Sequence, residues 1–245
     1  MNLADNYQAN KDFEKADRLY DRAIESAPNS VSLRIGKAML AAELKGDLSE
    51  IDIQFAHMQG GATDAEASFG RAYLLMLQRR YHEALAVLKQ SPDDGHIDAK
   101  PKEYLEGAVY SFLNDKEQAR LAFRRARPIL ERAVQEGSDD ASRHAMLGVV
   151  LAGLDEKEAA IAEGKRAVEL LPESQDALDG PKQTLALAQI YAWTGENDQA
   201  LQLLERSLIT PSGVTVSSLK LNPIWDPLRD DARFQALIEK HAART

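Results

Sequence analysis

The chain has 245 residues, 44% hydrophobic and 28% charged, with a formal net charge of −9, so general disorder is excluded, and so is an electrostatic nucleic-acid surface, for which no basic stripe is present. The absence of cysteine excludes disulfides, thiolate metal sites and cysteine nucleophiles. No apolar run approaches the ~20 residues of a membrane-spanning helix, so direct membrane insertion is not expected.

Apolar residues recur at three- and four-residue steps almost throughout, which predicts an all-α chain. "FEKADRLYDRAIESAP" (13–28) spaces Phe13, Ala16, Leu19, Tyr20, Ala23 and Ile24 in this way and stops at Pro28, which cannot continue a helix. The stretch 30–60 follows the pattern least well. Gly46 suits a turn there, but Ile51 stands where other segments carry a small residue. "YHEALAVLKQSP" (81–92) repeats the first arrangement with Tyr81, Ala84, Leu85, Leu88 and Pro92. "EGAVYSFLNDKEQARLAFRRA" (106–126) predicts a helical hairpin whose second helix is lengthened around 128–137, with a kink or break at Pro128. "LGVVLAGLDEKEAAIAEGKRAVELLP" (147–172) and "LAQIYAWTGENDQALQLLERSL" (187–208) predict two more hairpins, separated by the loop 173–181. "GVTVSSLKL" (213–221) is the only β-leaning run.

These segments share a period. Ala16 and Ala84 stand 68 residues apart, twice the 34 residues of a tetratricopeptide repeat, a helix–turn–helix unit with small residues where its helices touch. Leu147–Gly148, Leu151, Ala160, Ala167 and Pro172 fall in its register, as do Leu187, Ala188, Tyr191, Gly195, Ala200 and Leu204. The chain therefore resembles the tetratricopeptide family, which implies an all-α right-handed superhelix. About six units are expected over 1–212, the first incomplete, with only six residues before Tyr7, and the second degenerate. A cap follows over 213–245. In the closing "IWDPLRDDARFQALIEK" (224–240), Asp226–Pro227 predicts one helix start and Asp230–Asp231 a second. Trp225, Leu228, Phe234 and Leu237 would cover the last helix pair, as the exposed end of a solenoid requires.

"EGKRAVELLPESQDALDGP" (163–181), "ARPILERAV" (126–134) and "LKLNPIWDPLRDDARFQAL" (219–237) resemble more narrowly the C-terminal repeat arrays of bacterial signalling proteins. In those proteins the array follows a serine/threonine kinase, a winged-helix regulator or a nucleotide cyclase, none of whose motifs is present here. The resemblance implies a sensory or docking array serving such an output domain. A chain that truly starts at Met1 would be cytoplasmic, and a fragment of a membrane-anchored signalling protein would stand outside the cytoplasm. An uncapped first unit would leave an apolar end able to pair with a second copy, so a homodimer through that end is one expectation.

No enzyme signature, cofactor motif or metal pair emerges. The five histidines include no pair at i, i+4. "PDDGHID" (92–98) gathers Asp93, Asp94, His96 and Asp98, but without EF-hand spacing it suits turn chemistry better. "GG" at 60–61 lacks the rest of a phosphate loop. The family register places Phe69, Tyr73 and Met76, then Tyr104, Ala108 and Ser111, then Ala145, Val149 and Ala152, then Leu185, Gln189 and Ala192 beside Trp193, on the concave surface. The Lys and Asn clamp of chaperone-binding members is missing. An apolar, aromatic surface suits a partner protein or peptide segment, or an adjacent domain of the same full-length chain. Packing between neighbouring units is the competing role for each residue, and small-molecule sensing is the alternative function.

Overall fold

Short polar residues cap several of the helices, and left-handed residues turn the hairpins. The computed structural model describes residues 12–58, 65–92 and 101–242. Its helices are α1 (Phe13–Ser26), α2 (Val31–Leu40), α3 (Ser49–His57), α4 (Ala65–Leu77), α5 (Tyr81–Gln90), α6 (Lys102–Phe112) and α7 (Lys116–Glu136). They continue as α8 (Ala141–Gly153), α9 (Lys157–Leu170), α10 (Gly180–Trp193), α11 (Asn197–Ile209), α12 (Val216–Leu221) and α13 (Ala232–Ala242), and no strand occurs among the described residues. Side chains of Asp12, Ser30, Asp115 and Asp140 accept the first free N–H groups of α1, α2, α7 and α8.

Each hairpin turns through one residue of positive φ, at Gly46, Arg79, Asn114, Asp155 and Gly195. A left-handed residue lets the chain reverse after a helix, and glycine or asparagine adopts it at least cost. Their spacing makes the repeat directly visible: 33 and 35 residues for the first two steps, then 41 and 40. The surplus lies where the sequence places it, in the 21-residue α7 and in the segment between α9 and α10. α7 runs unbroken through Pro128, contrary to a break there. Pro128 and Arg124, whose carbonyl loses its intrahelical donor, are both exposed, while Ala122, Ala126 and Leu130 are buried at four-residue steps. The side of Arg124 and Pro128 is open to solvent, and packing holds the other straight.

The repeat alanines are buried as the pattern predicts: Ala16, Ala84, Ala160 and Ala200 at 0% exposure and Ala119 at 4%. Ile51, their bulkier counterpart, is equally buried on the shorter α3. Glycine permits the closest approaches. A Cβ on Gly148 would lie 2.7 Å from Ile190 Cδ1 and 3.0 Å from the Ala160 carbonyl oxygen. Phe123 fills the space that Gly107 and Gly153 leave, 2.6 and 2.4 Å from where their Cβ atoms would be.

The contacts divide the chain into two compact units. Residues Met1–Gly95 and Thr215–Pro223 form the first, and His96–Val214 with Ile224–Thr245 form the second. Ala16, Tyr20 and Leu40 form a core cluster in the first unit, and Phe123, Leu130, Leu147, Val150 and Ile190 are central in the second. The β-leaning run is the helix α12, whose Thr215 hydroxyl accepts the Ser218 N–H and whose Val216 and Leu219 are buried. One local expectation is corrected. Asp226–Pro227 starts no α-helix but lies in a 3-10 turn, Pro223–Leu228. Asp231 does start α13, accepting the Arg233 N–H at 2.9 Å. Its interactions with Arg233 hold its carboxyl down at about 2. Among the described residues no helix is long and apolar enough to cross a membrane.

Candidate functional site

The first helices of the hairpins carry every residue expected on the interaction surface. In the first unit these are α2 and α4. α2 continues into a π-helical turn, Ala41–Lys45, before Gly46. From α4, Tyr73 donates its hydroxyl to the Glu43 carboxylate at 2.7 Å and accepts from Asn222 Nδ2 at 2.9 Å. The Thr215 hydroxyl donates to the Glu43 carbonyl oxygen, and that of Ser217 to the Leu44 carbonyl oxygen at 3.3 Å. Phe69 is half-buried, as is Tyr73, whereas Met76 is 1% exposed and belongs to the packed interior.

Burial pushes the Glu43 carboxyl above its ordinary value of 4.5, and the Tyr73 hydrogen bond opposes this only in part. A carboxyl raised by folding holds its proton more tightly in the folded chain. Its contribution to stability is complete below the unfolded value and is lost as pH rises through the folded one. Glu43→Gln, which keeps an acceptor for Tyr73 but carries no charge, is expected to melt higher than the wild type at about pH 8. That advantage should disappear at about pH 4. Parallel thermal melts check this, and a difference independent of pH contradicts it.

In the second unit the first helices are α6, α8 and α10. Tyr104 of α6 lies beside the Gln189 side chain of α10, and burial raises its phenol. Gln189 is 7% exposed, and its Nε2 has no hydrogen-bond partner among the described residues. Val149 is 3% exposed, and Ala145 and Ala152 are buried beside it on α8. Leu185 is half-buried; Ser111 is exposed, its hydroxyl turned back onto the Gly107 carbonyl at 2.8 Å. Trp193 ends α10, its ring set edgewise against Phe112 and Phe123 at 6.3 and 6.2 Å. Its indole N–H donates to the Ile224 carbonyl at 2.9 Å, outside the hairpins.

The structure thus brings Tyr104 and Gln189 together, sinks Met76 and Val149 into the interior, and leaves Phe69, Tyr73, Leu185 and Trp193 partly accessible. Sequence reasoning missed Glu43, Thr215, Ser217 and Asn222. The Thr215 hydrogen bond links positions 172 apart, which no local pattern signals; only the three-residue step Val216, Leu219, Asn222 hints at a common face. Buried His144 lies between Glu163, at 2.6 Å, and the Ser138 carbonyl, at 3.0 Å, tying α8 to α9. No group of three potential metal ligands occurs among the described residues. Tyr7, Gly60–Gly61 and the Asp93–Asp98 cluster lie outside them.

A tetratricopeptide repeat model matches residues 1–30, and a second matches residues 115–175. No curated protein matches the chain in sequence. Among solved structures, the chain is similar to YrrB, a TPR protein with an unusual peptide-binding site, at 19% identity and a TM-score of 0.30, covering 92% of this chain and 98% of that one. It is also similar to MamA, at 17% identity and a TM-score of 0.26, covering 84% of this chain and 86% of that one.

Proposed function

We propose that this chain, which carries tetratricopeptide repeats on an all-α framework, is a non-catalytic docking array. Its first-helix faces take a peptide segment, supplied by a partner protein or by an adjoining domain of a longer chain. Support comes from two residues expected on that surface, each of which bonds to chain outside every hairpin. Within the first unit Tyr73 accepts from Asn222, and within the second Trp193 donates to the Ile224 carbonyl. Aromatic side chains that join an apolar body to a polar tip are suited to this, because they bury area while fixing the register of a bound backbone. The finer role, regulation of an output domain in a bacterial signalling protein, rests on the resemblance of 126–134, 163–181 and 219–237.

Selection from a random displayed-peptide library against the immobilised protein tests the docking role. Phe69→Ala and Leu185→Ala are each expected to weaken the selected peptides by roughly tenfold, the effect of losing one anchor worth ~1.4 kcal/mol. Peptides that bind both variants as tightly as the wild type would place docking elsewhere.

A further inference from the structure

We infer that the segment Thr215–Pro223 is a built-in ligand of the first unit. It holds a surface that a partner peptide of the same chemistry occupies by displacing it. The inference rests on the docking role proposed above and adds the identity of one surface, its occupant and its regulation.

The last carbonyls of a helix have no intrahelical donor and must find one elsewhere. At the end of α2, Glu43 and Leu44 offer two such carbonyls, and the hydroxyls of Thr215 and Ser217 meet them. The left-handed Gly46 lies against this segment: a Cβ there would meet Ser217 Oγ at 3.4 Å, an ordinary van der Waals contact. Val216 and Leu219, at 8% and 0% exposure, turn inward one helical step apart. Asn222, a further step along and 3% exposed, donates to Tyr73. Lys220, next to Leu219, is exposed. Threonine and serine on helix-end carbonyls, two apolar anchors three residues apart, and an asparagine on a tyrosine hydroxyl form the recognition set of a short amphipathic helix laid onto a receptor. The pattern in this chain is T-V-S-S-L-K-L-N.

The segment is not part of any repeat hairpin. Its flanks in sequence, up to Val214 and from Ile224, belong to the second unit. There the Val214 N–H is held by Ser207 Oγ at 3.0 Å, and the Ile224 carbonyl by Trp193 at 2.9 Å. A ligand tethered so closely is present at an effective concentration on the order of millimolar. Any free peptide competes with it, and its apparent affinity falls by the fraction of chains whose surface is vacant. The partner that fits carries the same sequence logic: a hydroxyl residue, apolar residues one and four positions later, and an asparagine seven positions later.

The test uses a fluorescent peptide of residues 213–224 and the full chain. Anisotropy titration compares the wild type with Leu219→Asp and with the milder pair Thr215→Ala and Asn222→Ala, each checked for folding by circular dichroism. Both are expected to bind the peptide at least about tenfold more tightly than the wild type. Adding Tyr73→Phe to the milder variant should reverse most of the gain. Folded variants that bind no better than the wild type overturn the inference. So does a peptide that dissociates a dimer, since the surface would then belong to a second copy. Failure of the docking role itself registers separately, as library-selected peptides indifferent to Phe69→Ala and Leu185→Ala.

Discussion

Phe123→Ala is expected to destabilise the second unit by about 3–5 kcal/mol, the range for removing a fully buried phenylalanine. The ring is 0% exposed, and two of its neighbours have no side chain to fill its place. Gly107 and Gly153 present bare backbone to it, with ideal Cβ positions 2.6 and 2.4 Å from ring atoms. Trp193 meets it edgewise at 6.2 Å. Glycine has no side chain to swing into the cavity, so the void should persist and the loss should fall toward the upper end of that range. Phe123→Leu keeps much of the volume and should cost markedly less. Urea unfolding of the three proteins checks the order. Equal midpoints for wild type and Phe123→Ala would mean that α7 is not wedged between its neighbours as described.

Trp225→Ala is expected to cost a similar ~3–5 kcal/mol, although its position lies beyond the last repeat. Trp225 is 2% exposed, and Leu228 and Phe234 are wholly buried, as a cap over the final hairpin requires. The ion pairs of Arg233 with Asp198 and of Lys240 with Glu205 join α13 to α11 but are exposed, so they contribute little beside this burial. The indole N–H of Trp225 is buried without a hydrogen-bond partner among the described residues. Such a donor carries a desolvation penalty of ~1–3 kcal/mol, so Trp225→Phe should keep most of the stability while Trp225→Ala loses it. Thermal melts separate these cases. A Trp225→Ala protein as stable as the wild type would show that the tail does not cap the array.

The repeat was legible because its signal is steric and local. Ala16, Ala84, Ala119, Ala160 and Ala200 mark helix contacts, and all are buried. Gly46 and Gly195 announce their turns, whereas Arg79, Asn114 and Asp155 take the same left-handed geometry with less warning. The π turn at the end of α2 had no sequence cue, since it changes hydrogen bonding without changing side-chain chemistry. The residues expected on the interaction surface fall on the first helices of the hairpins, but their accessibility was not legible. Small residues such as Ala145 are compatible with Tyr104 of α6 reaching Gln189 of α10, and that closure depends on how tightly three helices pack. Val216 and Thr215 favour strands in isolation, which gives 213–221 its β-leaning composition. Burial of Val216 and Leu219 in the first unit overrides that preference, and a contact across 172 residues is invisible to any local pattern.

Amide chemical-shift mapping of a library-selected peptide on the isotope-labelled chain tests the docking role most directly. The prediction is saturable shifts concentrated on the first helices, around Phe69 and Tyr73 of α4 or Leu185 and Trp193 of α10. Shifts confined to the second helices α5, α7, α9 and α11 would contradict it.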